Sequence, residues 1–339
     1  MRITFTLQLF KKKTSALNLS KKVMKKVGIF CGGYSSEFDI SIKSAETIQK
    51  HFPSEYETVK IIVKKDEWKA EIGEELVDFD INTMTFSSIK IDLAIVYIHG
   101  DPGENGKIQA LLEMKGIPYL NSGPLASSLS FDKWFCNQFL KSFGIPIAKS
   151  QLLTASNSIS EDSIIHELGL PVFVKPADSG SSYGISKVKS REELLPAIHA
   201  AFREGKTVVI ESFLEGTEVT CGVFRTKDGI VALPLTEIAT ENEFFDYAAK
   251  YLGKSQEITP ARVSDEMRDT IQNRAKYIYE LMQLRSVARI DFMIVGSEPH
   301  VIEVNTTPGF SSASIVPQML SSAGITITDF WKNILEVEL

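Results

Sequence analysis

Val27-Gly28-Ile29-Phe30-Cys31-Gly32-Gly33-Tyr34-Ser35-Ser36-Glu37 is the stretch on which the fold turns. Val27 to Phe30 form a short buried-strand pattern, and the Gly32-Gly33 pair ends it. Ser35-Ser36-Glu37 then opens a helix through Ile40, Ser44 and Ile48. Strand, glycine turn and helix in that order begin a doubly wound α/β domain. The turn lacks the G-x-G-x-x-G spacing, so it carries no dinucleotide fingerprint. A second strand is predicted over 91–98, ending at His99-Gly100, and side chains at the carboxyl ends of such strands face the ligand crevice. This first domain is placed at 24–121.

Outward from that segment the chain divides further. A helix is predicted over 131–143, then strands at 171–175, 185–188 and 207–211, with a glycine/serine loop at 177–184 and a helix at 192–203. These form a small central unit, placed at 122–211. The last unit, 212–339, carries strands at 218–224 and 230–238. A polar, aromatic-rich segment at 240–260 follows, long enough to be a lid. A long amphipathic helix comes next, with Ser264 as N-cap and Met267, Ile271, Ala275, Ile278 and Met282 along one face. Two final strands are predicted at 288–295 and 301–304.

The chain has 339 residues, 43% hydrophobic and 24% charged, with a formal net charge of −6. That is globular composition with ample length for several cores. The acidic balance argues against a duplex nucleic-acid partner. No apolar run approaches a membrane span. Three scattered cysteines suit a reducing, cytoplasmic setting. The charge is uneven. Arg2, Lys11, Lys12, Lys13, Lys21 and Lys22 precede Met24, and the first acidic residue is Glu37. A basic, acid-free leader is open to reading as a transit peptide or a lipid-touching arm. The favoured expectation is a tail outside the folded domain, disordered or not part of the true chain, which would start near Met24.

The strongest chemical signal is Arg289-Ile290-Asp291 with Glu303-Val304-Asn305. Both segments alternate with period two, so Arg289 and Asp291 share one face, as do Glu303 and Asn305. A hairpin about 296–299, in the register where paired numbers sum to 594, sets Asp291 opposite Glu303 and Arg289 opposite Asn305. Facing carboxylates repel unless a cation lies between them. Asp, Glu and Asn oxygens are hard ligands suited to Mg²⁺ shared with phosphates. A surface hairpin with a solvated face is the plainer alternative. Lys175, at a strand end before the loop Ala177–Gly184, offers charge and backbone N–H groups to phosphate oxygens; alone, such a loop is a plain turn. Glu211, Phe213 and Leu214, with Glu218, form a possible adenine and ribose slot, or a strand end with a core Phe.

In sum these residues are recognisable. The sequence resembles D-alanine–D-alanine ligases of the ATP-grasp superfamily over nearly all of 26–335. The matching stretches are Gly32-Gly33-Tyr34-Ser35-Ser36-Glu37 with Ser41 and Ser44-Ala45, His99-Gly100 with Gly103-Glu104-Asn105-Gly106, Ser122-Gly123 with Asp132-Lys133, and Lys175-Pro176 with Gly180-Ser181-Ser182. They continue through Asp246-Tyr247, Lys250-Tyr251, Arg289-Ile290-Asp291 and Glu303-Val304-Asn305-Thr306-Thr307-Pro308-Gly309.

The resemblance implies a pre-ATP-grasp domain followed by a two-lobed ATP-grasp fold. It implies ATP and two Mg²⁺ (or Mn²⁺) as cofactors, two D-alanines as substrates, and a cytoplasmic homodimer supplying peptidoglycan precursors. Asp291, Glu303 and Asn305 would hold the metals. Lys133, Lys175, Ser182 and Lys250 would contact phosphates, and Glu211, Phe213, Leu214 and Glu218 the nucleoside. Arg289 and the Gly309 N–H would stabilise the oxyanion. Glu37 would pair with the first ammonium, Ser181 and Tyr251 would join Glu37 and position the second substrate, and Ser314 and the Ile315 backbone would receive its carboxylate. His99 either meets substrate or only packs. Tyr251 stands where relatives making D-lactate-ended products carry Phe, which implies a dipeptide product. Phe38, Ala177-Asp178-Ser179 and Phe245 depart from the family pattern. Two other classes compete. A catalytically dead nucleotide-binding module would show erosion at Asp291, Glu303, Asn305, Arg289 or Lys175, and all are intact; a dinucleotide oxidoreductase lacks its glycine fingerprint.

Overall fold

The computed structural model describes residues 24–156, 159–177, 184–240 and 255–339. The first unit is an eight-stranded sheet. In chain order it contains β1 (Lys25–Gly32), α1 (Phe38–His51), β2 (Tyr56–Val63), β3 (Trp68–Ile72), β4 (Glu75–Asp80), β5 (Thr85–Phe86), β6 (Ile89–Lys90), β7 (Leu93–Val96), α2 (Lys107–Lys115) and β8 (Tyr119–Leu120). The sheet order is β6-β5-β4-β3-β2-β1-β7-β8, parallel from β2 through β8 and antiparallel from β2 to β6. The doubly wound core matches expectation. The antiparallel extension was not foreseen, because β3 to β6 are short and mostly half-exposed, with little apolar alternation to announce them. The turn after β1 requires glycine: Gly33 has φ +102°, and a Cβ there would sit 2.4 Å from Ile98 Cγ2.

The helix predicted over 131–143 is α4 (Lys133–Ser142), and an unforeseen helix, α3 (Pro124–Phe131), precedes it. Asp132 separates them. Its backbone is extended at φ −85°, ψ 110°, and its carboxylate accepts the Phe135 N–H at 3.0 Å, so it ends one helix and caps the next. The second sheet, ordered β11-β10-β12-β9, is built from β9 (Ser150–Thr154), β10 (Val172–Pro176), β11 (Ser186–Val188) and β12 (Thr207–Ser212). Helices α5 (Glu161–Leu168) and α6 (Arg191–Glu204) cover it, and α6 starts on a Ser190/Glu193 capping box.

The third sheet holds β13 (Thr217–Thr226), β14 (Gly229–Ala232), β15 (Thr236–Thr240), β16 (Ser255–Ile258), β17 (Val287–Val295) and β18 (Glu298–Asn305). The strand expected over 230–238 is broken at Leu233-Pro234-Leu235, since Pro234 has no N–H for a ladder. Helix α7 (Asp265–Leu281) begins at Ser264, whose hydroxyl accepts the Met267 N–H at 3.2 Å. Ile271, Ala275 and Ile278 are fully buried, whereas Met282 packs from just beyond the helix end. Helices α3 and α4 lie against β18, and Ala126, Cys136 and Leu140 join the core beneath α7.

Helices α8 (Ile315–Ser322) and α9 (Ile327–Glu338) return the chain to the first domain. Phe310, Phe330 and Trp331 share one core with Ile29, Ala45, Ile48 and Tyr97. The Phe330 and Trp331 rings are 5.1 Å apart at 72°, an edge-to-face contact. A single apolar cluster therefore fastens the first domain to the C-terminal end, and the site forms along that seam.

Candidate active site

The hairpin of β17 and β18 places the carboxylates. Arg289 pairs with Asn305, Ile290 with Val304 and Asp291 with Glu303, as the alternation predicts. Beyond Asp291 the register shifts, so Phe292 faces Val301 and Ile302 is the extra residue. Ile290, Phe292 and Val304 point into the core while Arg289, Asp291, Glu303 and Asn305 take the opposite face.

Asp291 is held from several sides. Arg289 donates Nε to Oδ1 and Nη2 to Oδ2, each at 2.8 Å. Thr220 donates to Oδ1 at 2.5 Å and Asn305 Nδ2 to Oδ2 at 3.1 Å. Such a carboxylate is oriented before any ligand arrives. Among the described residues, no three His, Cys, Asp or Glu side chains gather into a metal site of their own. Two carboxylates and an amide instead make a half-set of hard oxygen donors, which suits a cation that also takes phosphate oxygens.

Opposite the hairpin lies the first-domain wall. Glu37 occupies the N-cap position of α1, and its N–H bonds to Ser35 Oγ at 3.2 Å. His99 is only 5% exposed, and burial lowers its pKa, so the ring is held neutral. Its Nε2 lies 3.3 Å from Ser44 Oγ. Glu104 accepts the Gly100 N–H at 2.9 Å. Removal from water, with Glu37 and Glu303 nearby, pushes its carboxyl up to about 7, against the Gly100 bond and Lys133.

The Thr306–Phe310 turn follows β18, and Ser314 is the N-cap of α8. Ser314 Oγ accepts the Ser311 N–H at 3.0 Å, and Ile315 is the first helical residue. Backbone N–H groups at a helix start favour an anion. A cavity of about 430 Å³ brings together Glu37, His99, Lys133, Arg289, Glu303, Asn305, Gly309, Ser314 and Ile315. Asp291 stands behind Arg289 and Asn305 rather than on the wall.

The remaining candidates lie on the second sheet. Lys175 Nζ and Glu211 Oε2 form a buried ion pair at 2.6 Å, and Asn137 Nδ2 donates to the other Glu211 oxygen at 3.1 Å. Asn137 also lines the cavity, linking the two halves. Phe213 packs on Phe173 at 5.8 Å, and Lys187 Nζ lies 3.9 Å over the Phe213 ring. Leu214 and Glu218 are both half-buried. Lys133 donates its N–H to the Ala177 carbonyl at 2.9 Å, tying the start of α4 to the end of β10. Ser181, Ser182, Lys250, Tyr251 and Phe245, with the rest of 241–254 from the segment expected to be a lid, lie outside the described residues.

The family model described as D-ala D-ala ligase N-terminus matches residues 26–122, and the one described as D-ala D-ala ligase C-terminus matches residues 139–336. The chain belongs to the D-alanine–D-alanine ligase family. It is 42% identical over 322 residues to a Parabacteroides distasonis protein named D-alanine–D-alanine ligase, covering 93% of this chain and 98% of that one. The crystal structure of VanG D-Ala:D-Ser ligase from Enterococcus faecalis superposes at TM-score 0.84 and 30% identity, covering 93% of this chain and 100% of that one. A D-alanine–D-alanine ligase from Bacillus anthracis complexed with ATP gives TM-score 0.77 at 28% identity, covering 93% and 97%. The fold is accordingly the ATP-grasp fold behind a doubly wound domain, and the protein is an ATP-dependent ligase.

Four cavity or slot residues of this ligase carried no assignment from sequence. Glu104 sat in a recognised motif but only burial gave it character. Asn137 and Lys187 become meaningful once Glu211 and Phe213 are seen beside them. Glu257, on β16, receives Gln318 Nε2 at 2.7 Å, and burial raises its pKa. Its sequence neighbourhood offers no pattern that marks it.

Proposed function

We propose that this ligase joins two D-alanines through a D-alanyl phosphate, giving D-alanyl-D-alanine, ADP and phosphate, with the residue roles set out here. One observation supports this most: Arg289, Glu303 and Asn305 of the hairpin face, with Asp291 behind them, converge with Glu37 and the N-terminus of α8 on one cavity. The chemical difficulty is anionic, because phosphates and a carboxylate must approach each other. Glu37 pairs with the ammonium of the first D-alanine and presents its carboxylate to the γ-phosphorus of ATP. The carboxylate oxygen forms a bond to phosphorus as the bond to ADP breaks. The second amine then attacks the acyl carbonyl, loses a proton, and phosphate leaves.

Arg289 and the Gly309 N–H hold the oxyanion of the tetrahedral intermediate. Ser314 Oγ and the Ile315 N–H take the second carboxylate. Ser181 and Tyr251 reach Glu37 and orient the second amine. Lys133, Lys175, Lys250 and Ser182 hold phosphates, while Glu211, Phe213, Leu214 and Glu218 hold the nucleoside, with Lys187 steadying the Phe213 ring. Asp291, Glu303 and Asn305 would hold two Mg²⁺ (or Mn²⁺), which neutralise phosphate charge when bound. The chain divides functionally at 24–121, 122–211 and 212–339, with a lid at 240–260. A homodimer through the first domain and a cytoplasmic setting belong to the same reading; sedimentation as a monomer at all micromolar concentrations would remove the dimer.

The test is phosphate release from ATP and Mg²⁺ with single amino acids. D-Alanine should give D-alanyl-D-alanine. Turnover with L-alanine or a dicarboxylic amino acid, and none with D-alanine, would refute the proposal.

A further inference from the structure

Three first-domain side chains grip the turn that carries Gly309. Tyr97 donates its hydroxyl to the Pro308 carbonyl at 2.9 Å. Ser44 Oγ accepts the Phe310 N–H at 3.2 Å. The His99 ring bonds to the backbone of Thr307 and, through Nε2, meets Ser44. Between these anchored groups, the Gly309 N–H has no hydrogen-bond partner among the described residues, and Gly309 lines the cavity.

We infer that Tyr97, seconded by Ser44, is a positioning residue that aims and strengthens the Gly309 N–H as an oxyanion donor. The Pro308 carbonyl and the Gly309 N–H belong to one trans peptide unit. In a trans unit the oxygen and hydrogen point to opposite sides. Fixing the oxygen on the buried side directs the hydrogen away from it. A hydrogen bond to the carbonyl also polarises the whole amide, which makes its N–H a better donor.

The anchor is rigid. Tyr97 is 1% exposed, and its ring packs edge-on against Phe310 at 5.7 Å and His99 at 6.0 Å. Burial keeps the phenol protonated, as a donor must be. The arrangement also spans the seam: a first-domain strand end sets the strength of a donor on the C-terminal unit. The inference rests on the proposed role of Gly309, so the experiment separates the two.

Tyr97→Phe keeps the ring and removes the hydroxyl. Loss of a whole oxyanion donor costs on the order of 10²–10³ in kcat, so weakening one should cost about tenfold. Affinity for a tetrahedral phosphinate analogue of the dipeptide should fall by the same factor. KM for ATP should stay within about twofold, and the Gly309 amide proton should move upfield in the NMR spectrum. A folded Tyr97→Phe enzyme with kcat and phosphinate affinity within twofold of wild type overturns the inference. So does a parallel loss of ATP affinity, the mark of a merely structural residue. Should Tyr97→Phe not fold, Ser44→Ala is held to the same criteria, with a threefold to tenfold loss expected and no loss overturning it. Arg289→Gln is the control. If it retains full turnover, the oxyanion reading itself fails; if it is inactive while Tyr97→Phe is unimpaired, only the role of Tyr97 fails.

Discussion

Glu104→Gln should make the ligand-free protein's stability less sensitive to pH. The wild-type carboxyl is raised from 4.5 to about 7, first by burial and then by Glu37 and Glu303, against the Gly100 N–H and Lys133. A raised acid holds its proton in the folded state after the unfolded chain has released it. Between pH 4.5 and about 7 the folded state binds more protons, so stability falls as pH rises through that window and is level above it. At about 1.4 kcal/mol per pKa unit, the full shift corresponds to on the order of 3 kcal/mol. Glutamine stays neutral at every pH and still accepts from Gly100. The variant should therefore gain on wild type by roughly 1–3 kcal/mol between pH 4.5 and pH 8, the lower figure allowing for screening by water in the cavity. Urea unfolding at both pH values, without ATP or metal, measures it. A variant-minus-wild-type difference that is the same at both ends would show that Glu104 is not desolvated.

Glu303→Gln should lower kcat by about 10³ or more while the melting temperature stays within about 3 °C; retained turnover would remove Glu303 from the metal set. Lys175→Met strands the Glu211 carboxylate in the interior and should cost about 3–5 kcal/mol in urea unfolding, much of it recovered by adding Glu211→Leu; a cost below about 1 kcal/mol would refute the pairing. Tyr251→Phe should shift the D-lactate to D-alanine preference for the second substrate by about tenfold, and an unaltered preference would detach Tyr251 from that choice. A chain starting at Met24 should match the full chain in turnover and melting temperature, and a large loss would make residues 1–23 structural.

Where the chemistry depends on alternation, it was legible. The facing of Asp291 and Glu303 follows from period-two patterning within two short strands, and so does Arg289 against Asn305. The bulge at Ile302 was not legible, because either strand reads regularly on its own. Capping was half legible: Ser264 announces α7, but Asp132, which ends α3 and caps α4, fell inside the helix expected over 131–143. Pro234 marked a break in the strand expected over 230–238 that the hydrophobic run around it concealed.

The sequence alone determined the doubly wound opening, the hairpin face and the ligase family. These rest on order and spacing along the chain, which consecutive residues carry. Only tertiary structure decided which residues act on each other across it. Tyr97 reaches Pro308 across 211 residues, Lys175 finds Glu211 on a neighbouring strand, and Glu104 acquires its raised pKa from burial, with Glu37 and Glu303 on other elements adding to it. Burial and partner distance are properties of the packed seam, and no local pattern encodes a seam that forms only when the two ends of the chain close on each other.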